Sequence, residues 1–365
     1  MTKEYGKQIQ DYELLEILGE GSFGCVQKAV DNHTGDIVAI KELKDLDFDC
    51  TSWKACLNIR EVKALRDLDH PNIIRLKQII MENYILYLVM ECMDMTLTQL
   101  MKNKVRKSSN NDQVRGVTIQ LFEALAHMHK KGYFHRDLKP DNILVSNDVV
   151  KVADFGMARE VSMDGDKLYT GRVTTLWYRA PEVLVKPSLY GPAVDMWAMG
   201  AIMAELFTST PLFRGSNEVD QVWKICSVIG TPTKETWEEG LSRAGKIFHH
   251  VFPRKYDGVD KLAELMPNAD EDAISLIRWL CSWDDRKRPT ALEALQHPFF
   301  ASQYSIPKSI EITKETTEIT KESINIRFLG VKDSLRSSLA RYFLEFWELV
   351  KRVACNGSMR KKCIN

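Results

Sequence analysis

The sequence predicts an α+β protein of two lobes, a β-rich N-lobe with one helix followed by a mostly α-helical C-lobe. Three observations carry that expectation. Short apolar and β-branched runs separated by turn residues fill positions 12–93. From residue 97 onward, long stretches place apolar residues at helical spacing. The change falls at Met93-Asp94, which marks a hinge between lobes 12–93 and 94–300 of a single domain.

In order along the chain, residues 1–11 read as an N-terminal extension, and 12–18, 25–30 and 37–42 as strands. Asp31-Asn32-His33-Thr34-Gly35 is a turn between the second and third. Residues 58–68 bring Ile59, Val62, Leu65 and Leu68 to one helical face, giving the helix of the first lobe. His70-Pro71-Asn72 ends it, and 73–80 and 85–90 read as two further strands. Residues 114–129, 193–207 and 269–283 read as long helices, amphipathic or buried all round. After Phe300 the character changes. Residues 311–317 are nearly repeated at 318–324, a period too short-lived for a coiled coil. Leu335, Leu339, Phe343, Phe346, Val350 and Val353 then share a helical face, with Asp333 or Ser334 as N-cap. Residues 301–365 therefore read as a tail with an amphipathic helix over 334–354. Docking on its own domain is the favoured reading of that helix, ahead of meeting a partner or a membrane surface.

Composition narrows the function classes. An apolar fraction of 44% and a charged fraction of 27% over 365 residues are those of a soluble globular protein with length for two cores. Lys and Arg (50) balance Asp and Glu (50), which argues against a nucleic-acid binder whose affinity rests on net charge. The eight cysteines form no CxxC pair and no framework spacing, as expected in a reducing intracellular compartment. No segment approaches the roughly 18 unbroken apolar residues of a membrane span, so no transmembrane segment is expected.

Three motifs carry chemistry. Gly19-Glu20-Gly21-Ser22-Phe23-Gly24-Cys25-Val26 lies between two predicted strands, where glycines let backbone amides close over phosphates. The same spacing marks dinucleotide folds, but those need a helix right after the glycines, and 25–30 reads as strand. Val38-Ala39-Ile40-Lys41 ends the third strand with a lysine after three apolar residues. Buried there, it demands a carboxylate partner, and Glu61 on the following helix, flanked by core-facing Ile59 and Val62, is the candidate. That pair would aim the ammonium at the α- and β-phosphates of a nucleotide. Finally, His135-Arg136-Asp137-Leu138-Lys139-Pro140-Asp141-Asn142 is followed by Asp154-Phe155-Gly156. Asp137 is the candidate base, orienting a hydroxyl nucleophile. Lys139 can neutralise a transferring γ-phosphoryl group, and Asn142 and Asp154 offer hard oxygens suited to Mg²⁺. Phosphoryl transfer needs little more than such positioned charges.

Together these motifs resemble the eukaryotic protein kinase family over roughly residues 12–300. The resemblance implies the bilobal protein kinase fold, ATP and Mg²⁺ as cofactors, protein substrates with Ser or Thr acceptors, and an upstream activating kinase. It implies a nucleotide site of Leu18, Gly19, Glu20, Gly21, Ser22, Phe23, Gly24, Cys25, Val26, Ala39 and Lys41, with Met90 as gatekeeper and Glu91 to Met93 as the hinge gripping adenine. It adds Ala180-Pro181-Glu182, with Glu182 paired to Arg288, and Asp195 as anchor of the catalytic loop. Asp285 departs from the family's usual Pro.

Within the family, Trp177-Tyr178-Arg179-Ala180-Pro181-Glu182 and the long insert between Pro211 and Asn268 resemble the group of cyclin-dependent and MAP kinases. Residues 52–61 and 218–226 are most similar to the subgroup of male germ cell-associated kinase. That likeness implies Arg upstream of the acceptor and Pro just after it, with Arg179 shaping the pocket for that Pro. It also implies a place in cytoplasm or nucleus and, for some members, in cilia. Lys139 and Thr175 fit a Ser/Thr rather than a Tyr kinase.

Regulation departs from the subgroup in two places. Its usual Thr-x-Tyr pair reads Tyr169-Thr170-Gly171-Arg172, with Arg172 in place of Tyr. A single switch at Thr170 is expected, its phosphate received by Arg60, Arg136 and Arg159 through charge-assisted hydrogen bonds of about 1.5–3 kcal/mol each. Phe23 stands where cyclin-dependent relatives carry an inhibitory Tyr, and it has no hydroxyl to modify. Residues 53–65 lack the PSTAIRE-like pattern that faces a cyclin, so no cyclin is expected. Two function classes compete: an active Ser/Thr protein kinase, and a kinase-shaped scaffold without turnover. The presence of Lys41, Glu61, Asp137, Asn142 and Asp154 favours the first.

Overall fold

A computed structural model describes residues 7–21, 24–43, 53–83, 85–103, 109–161, 175–185, 190–248 and 252–301. The expectations placed on Ser22, Phe23, Thr170, Arg172 and the tail helix over 334–354 lie outside the described residues.

Five antiparallel strands form the sheet of the first lobe: β1 (Tyr12–Gly21), β2 (Gly24–Asp31), β3 (Ile37–Leu43), β4 (Leu76–Glu82) and β5 (Ile85–Glu91). Their spatial order is β1-β2-β3-β5-β4. Alternation along β3 divides its side chains between two faces. Val38 and Ile40 join Tyr12, Ala29, Ile80 and Val89 in a small outer cluster. Ala39, Lys41 and Leu43 point the other way, where Leu43, Leu86, Leu88 and Met90 belong to the main core. The β2–β3 turn closes as expected, with Gly35 at φ 74° donating its N–H to the Asp31 carbonyl at 2.8 Å.

Two helices follow β3, α1 (Trp53–Leu57) and α2 (Arg60–Asp67), where the sequence predicts one over 58–68. The inner face of α2 buries Glu61, Val62, Ala64 and Leu65. The fourth strand begins at Leu76 rather than at residue 73, because the preceding backbone pairs elsewhere. Ile73 bridges Val152 in parallel, Ile74 N–H donates to the Val152 carbonyl and Val152 N–H to that of Asn72, each at 2.9 Å.

In the second lobe β6 (Met95–Thr96), β8 (Ile143–Ser146) and β9 (Val149–Val152) form a small sheet, and β7 (Tyr133–Phe134) pairs with β10 (Arg159–Glu160). The helices are α3 (Leu97–Asn103), α4 (Asn111–Lys130), α5 (Pro181–Val185), α6 (Ala193–Thr208), α7 (Glu218–Ile229), α8 (Lys234–Phe248), α9 (Leu262–Leu265), α10 (Glu271–Leu280) and α11 (Ala291–Leu295). α4 starts earlier than its apolar periodicity predicts because Asn110 and Gln113 cap it reciprocally, at 2.9 and 3.3 Å. α6 is buried from Val194 to Phe207, the centre of the helical core. Among the described residues no helix is long and apolar enough to cross a membrane.

Candidate active site

The loop between β7 and β8 is organised by a carboxylate at the start of α6. Asp195, 1% exposed, accepts the His135 N–H at 2.8 Å and the Arg136 N–H at 2.9 Å, with His129 Nε2 at 3.0 Å. Burial opposes its charge, but the His129 hydrogen bond, the nearby histidines and the Arg136 amide hold its carboxyl below the ordinary range. These bonds maintain Arg136 at φ 73°, a left-handed conformation that a non-glycine residue adopts at a cost. His135 Nε2 meets the Ala153 carbonyl at 2.9 Å and its Nδ1 accepts the Asp137 N–H at 3.3 Å, partners that together require Nε2 to carry the proton.

Asp137 is buried and faces its loop neighbours. Its Oδ2 accepts Lys139 Nζ at 2.8 Å and Asn142 Nδ2 at 3.0 Å. Asn142 Nδ2 also donates to the Asp137 carbonyl at 2.8 Å. Both contacts of the Asn142 amide therefore use its nitrogen, which turns its oxygen away from Asp137.

Lys41 gathers the rest of the site across the two lobes. Its Nζ lies 2.7 Å from Glu61 Oε1 and 2.8 Å from Asp154 Oδ1. Burial works against the ammonium, but Glu61 and Asp154 outweigh it and push its pKa up to about 12. Burial likewise disfavours the Asp154 carboxylate, yet Lys41 first, then His135 and Lys139, hold it below the usual range. Glu61 is raised, because its burial exceeds what Lys41 returns. The ammonium shared between two carboxylates is the arrangement these distances support, with Asp154 the firmly ionised member.

The other expected nucleotide residues that are described lie on or next to β1, β2, β3 and β5. Val26 lies opposite Lys41 in the β2–β3 ladder, and Ala39 opposite Met90 in the β3–β5 ladder. Gly19, Glu20 and Gly21 pair with Val26, Cys25 and Gly24 across the hairpin. Gly24 has a packing requirement of its own: at φ 134°, a Cβ there would sit 1.8 Å from the Glu42 carbonyl oxygen. Leu18 is 45% exposed on β1. The Glu91 side chain is engaged within the protein, receiving the Arg75 N–H at 2.7 Å and Lys151 Nζ at 2.9 Å. Met93 packs against the core.

Beside Asp137 is a cavity lined by Arg136, Thr175, Arg179, Tyr190 and Val194. Burial pulls the Arg179 guanidinium below its ordinary pKa, countered by Glu218 at 3.8 Å. Sequence reading misses Tyr190. Its ring lies 5.4 Å from the Arg136 guanidinium and its hydroxyl accepts Arg136 Nε at 2.9 Å. The one signal is an aromatic ahead of Gly191-Pro192, too common to single out. Of the expected phosphate receivers, Arg159 stands opposite Phe134 in the β7–β10 pair, two residues from Arg136. Arg60 heads α2. Below the cavity, Arg288 grips both oxygens of Glu182 at 2.7 Å and donates to the Ala193 carbonyl at 3.0 Å, a buried bidentate pair that ties α5 to α6.

The donor set fits magnesium. Among the described residues no group of three or more His, Cys, Asp or Glu side chains gathers to hold a metal unaided. An amide oxygen at Asn142 and an ionised carboxylate at Asp154 are the sparse, hard ligands magnesium accepts when phosphates supply the others.

A sequence model described as "Protein kinase domain" matches residues 12–300. "Cyclin-dependent kinase F-4" of Oryza sativa subsp. japonica is 49% identical over 299 residues, 82% of this chain and 63% of its own length. A "probable serine/threonine-protein kinase" of Dictyostelium discoideum is 42% identical, covering 86% of this chain and 60% of itself. "Serine/threonine-protein kinase MAK" of Mus musculus is 45% identical over 290 residues, 79% of this chain and 45% of itself. The chain thus spans less than two thirds of each of these three relatives.

Proposed function

This chain belongs to the protein kinase family, and from that premise we propose that it is a serine/threonine protein kinase, transferring the γ-phosphoryl group of ATP to Ser or Thr hydroxyls of protein substrates. The observation that carries the reading is two adjoining sets, Lys41 bound to Glu61 and Asp154, and Asp137 bound to Lys139 and Asn142, joined where Ala153 N–H donates to the Asn142 carbonyl at 2.9 Å. A scaffold without turnover has no need of that arrangement.

The geometry suggests how the residues divide the work. Lys139 and Asn142 both contact Oδ2 of Asp137, leaving Oδ1 as the acceptor for a substrate hydroxyl. As the substrate hydroxyl oxygen bonds to the γ-phosphorus, the bond from phosphorus to the ADP oxygen breaks and the hydroxyl proton passes to Asp137 Oδ1. Lys139 stands where it can shift from Asp137 to the transferring oxygens. Lys41, kept protonated by its two carboxylates, holds the α- and β-phosphates, and Met90, Ala39, Val26 and Leu18 cover the adenine. Asn142 and Asp154 would hold magnesium, which supplies positive charge against the phosphate oxygens.

Regulation by phosphorylation at Thr170, from an upstream kinase, belongs to the same proposal, with Arg60, Arg136 and Arg159 as receivers. So does a substrate preference for Pro after the acceptor, served by Arg179. Residues 53–65 without a cyclin-facing pattern support activity independent of a cyclin. An intracellular place, in cytoplasm or nucleus, suits an ATP-using enzyme whose described cysteines form no disulfide with one another; a ciliary role rests on the subgroup likeness alone.

The test is transfer from labelled ATP to a peptide library by the full chain, beside Asp137→Asn. Transfer to Ser and Thr peptides well above that control is expected. Transfer equal to the control by protein phosphorylated on Thr170 would leave the scaffold reading.

A further inference from the structure

Glu61 supports Lys41 only while α2 stays against the sheet, and so short a helix is kept there by its contacts rather than by its own propensity. It is eight residues long, and Ile59 at its N-cap makes no side-chain hydrogen bond. Helices so short are marginal by themselves, and an apolar N-cap side chain offers no acceptor of its own to the first turn. Besides its buried inner face, α2 carries Lys63 and Asp67 one turn apart. Both reach a polar cluster on the helical lobe. Tyr133 in β7 is 5% exposed, and its hydroxyl lies 2.7 Å from Asp67 Oδ2 and 3.0 Å from Glu160 Oε1. Lys63 Nζ donates to that same Glu160 oxygen. Glu160 stands directly opposite Tyr133 in the β7–β10 pair, and Val161 N–H closes on the Gly132 carbonyl at 2.7 Å. One hydroxyl proton faces two carboxylates, and the Lys63 ammonium adds positive charge at the Glu160 oxygen that meets Tyr133.

We propose that Lys63, Asp67, Tyr133 and Glu160 form a latch that holds α2, and with it Glu61, in the position that supports Lys41. They are positioning residues for phosphoryl transfer, and they act from within the chain rather than through a partner subunit. The inference rests on the kinase reading of the Lys41–Asp137 site. The Lys63–Glu160 pair is about half exposed, with side chains 46% and 55% accessible, and such a pair alone contributes little. Its consequence comes through the buried Tyr133 hydroxyl, which joins it to Asp67 and to the strand that precedes the Thr170 segment.

The test compares the full chain with Lys63→Glu, which sets a third carboxylate beside Asp67 and Glu160, and with the exchanged pair Lys63→Glu/Glu160→Lys. The single change should lower kcat about ten-fold at an unchanged peptide KM, and speed amide hydrogen exchange across Arg60–Asp67. The exchanged pair should recover most of both. If Lys63→Glu does not fold, Tyr133→Phe removes the hydroxyl without altering charge and should speed the same exchange. Unchanged exchange and kcat in the single variants, or an exchanged pair that recovers neither, overturns the latch. The exchange measurement reads the latch without catalysis. A wild-type chain with no transfer above Asp137→Asn, but with the exchange pattern described, would overturn the kinase reading and support the latch.

Discussion

Asp137, Lys139 and Asn142 reach one another within a single loop, no contact spanning more than five positions, whereas Lys41, Glu61 and Asp154 come from segments 20 and 113 residues apart. Asp195 anchors the start of the loop through two backbone amides, and the partners within the trio all lie in the loop itself. The Lys41 network forms only when β3, α2 and the turn after β9 arrive together. A local trio fixes chemistry, and a dispersed trio makes that chemistry conditional. Control therefore has its natural point of entry at α2 and Asp154 rather than at Asp137.

Removing a member of each trio tests that division. Asp137→Asn keeps the shape and removes the carboxylate base, so the phosphoryl-transfer rate should fall by about 10²–10⁴ while nucleotide affinity and melting temperature hold. Glu61→Gln should lower the rate by roughly 10²-fold, because Lys41 loses a charged partner and the phosphates lose their alignment. Unlike the loop variant, it should also weaken ATP binding, measured by titration with a fluorescent nucleotide. If Glu61→Gln changed neither ATP affinity nor rate, the dispersed trio would not be the conditional half. Thr170→Ala probes the same half from outside the cleft and should reduce activity about ten-fold through loss of phosphate contacts to the arginines. Full activity in that variant would remove the switch.

The difference between the two trios also explains what could be read in the sequence. A run such as Asp137 to Asn142 announces itself because its partners are neighbours. Lys41 and Glu61 were legible for another reason: a lysine after three apolar residues needs a buried anion, and a helix followed within reach. The strand and helix periods likewise placed β1–β3, α2 and α6. Periodicity alone did not place the start of β4, where Ile73 and Ile74 pair with Val152 instead of the sheet. Nor did it reveal Tyr190 beneath Arg136, or Tyr133 between Asp67 and Glu160. Those contacts join residues distant in sequence, and no single member carries an unusual pattern.

A pH series offers the smallest effect and the sharpest view of the dispersed trio. Lys41 is raised from 10.5 to about 12, so its ion pairs stabilise the fold fully below pH 10.5 and lose that contribution as pH climbs through about 12. Asp154 is lowered, so its contribution is present above pH 3.8 and fades only as pH falls through its smaller native value. Glu61, raised by burial, has the opposite sign: it costs stability above pH 4.5 as pH rises toward its raised native value. The limb above pH 10.5, where Lys41 itself titrates, is the one that reads the ammonium. On the alkaline side, denaturation midpoints of wild type minus those of Lys41→Met should hold their difference up to about pH 10.5, and the gap should narrow above it. Groups outside the network titrate in both proteins and cancel. A gap already closed near pH 9 would mean that Glu61 and Asp154 do not hold the ammonium, and the site would then have no conditional half to regulate.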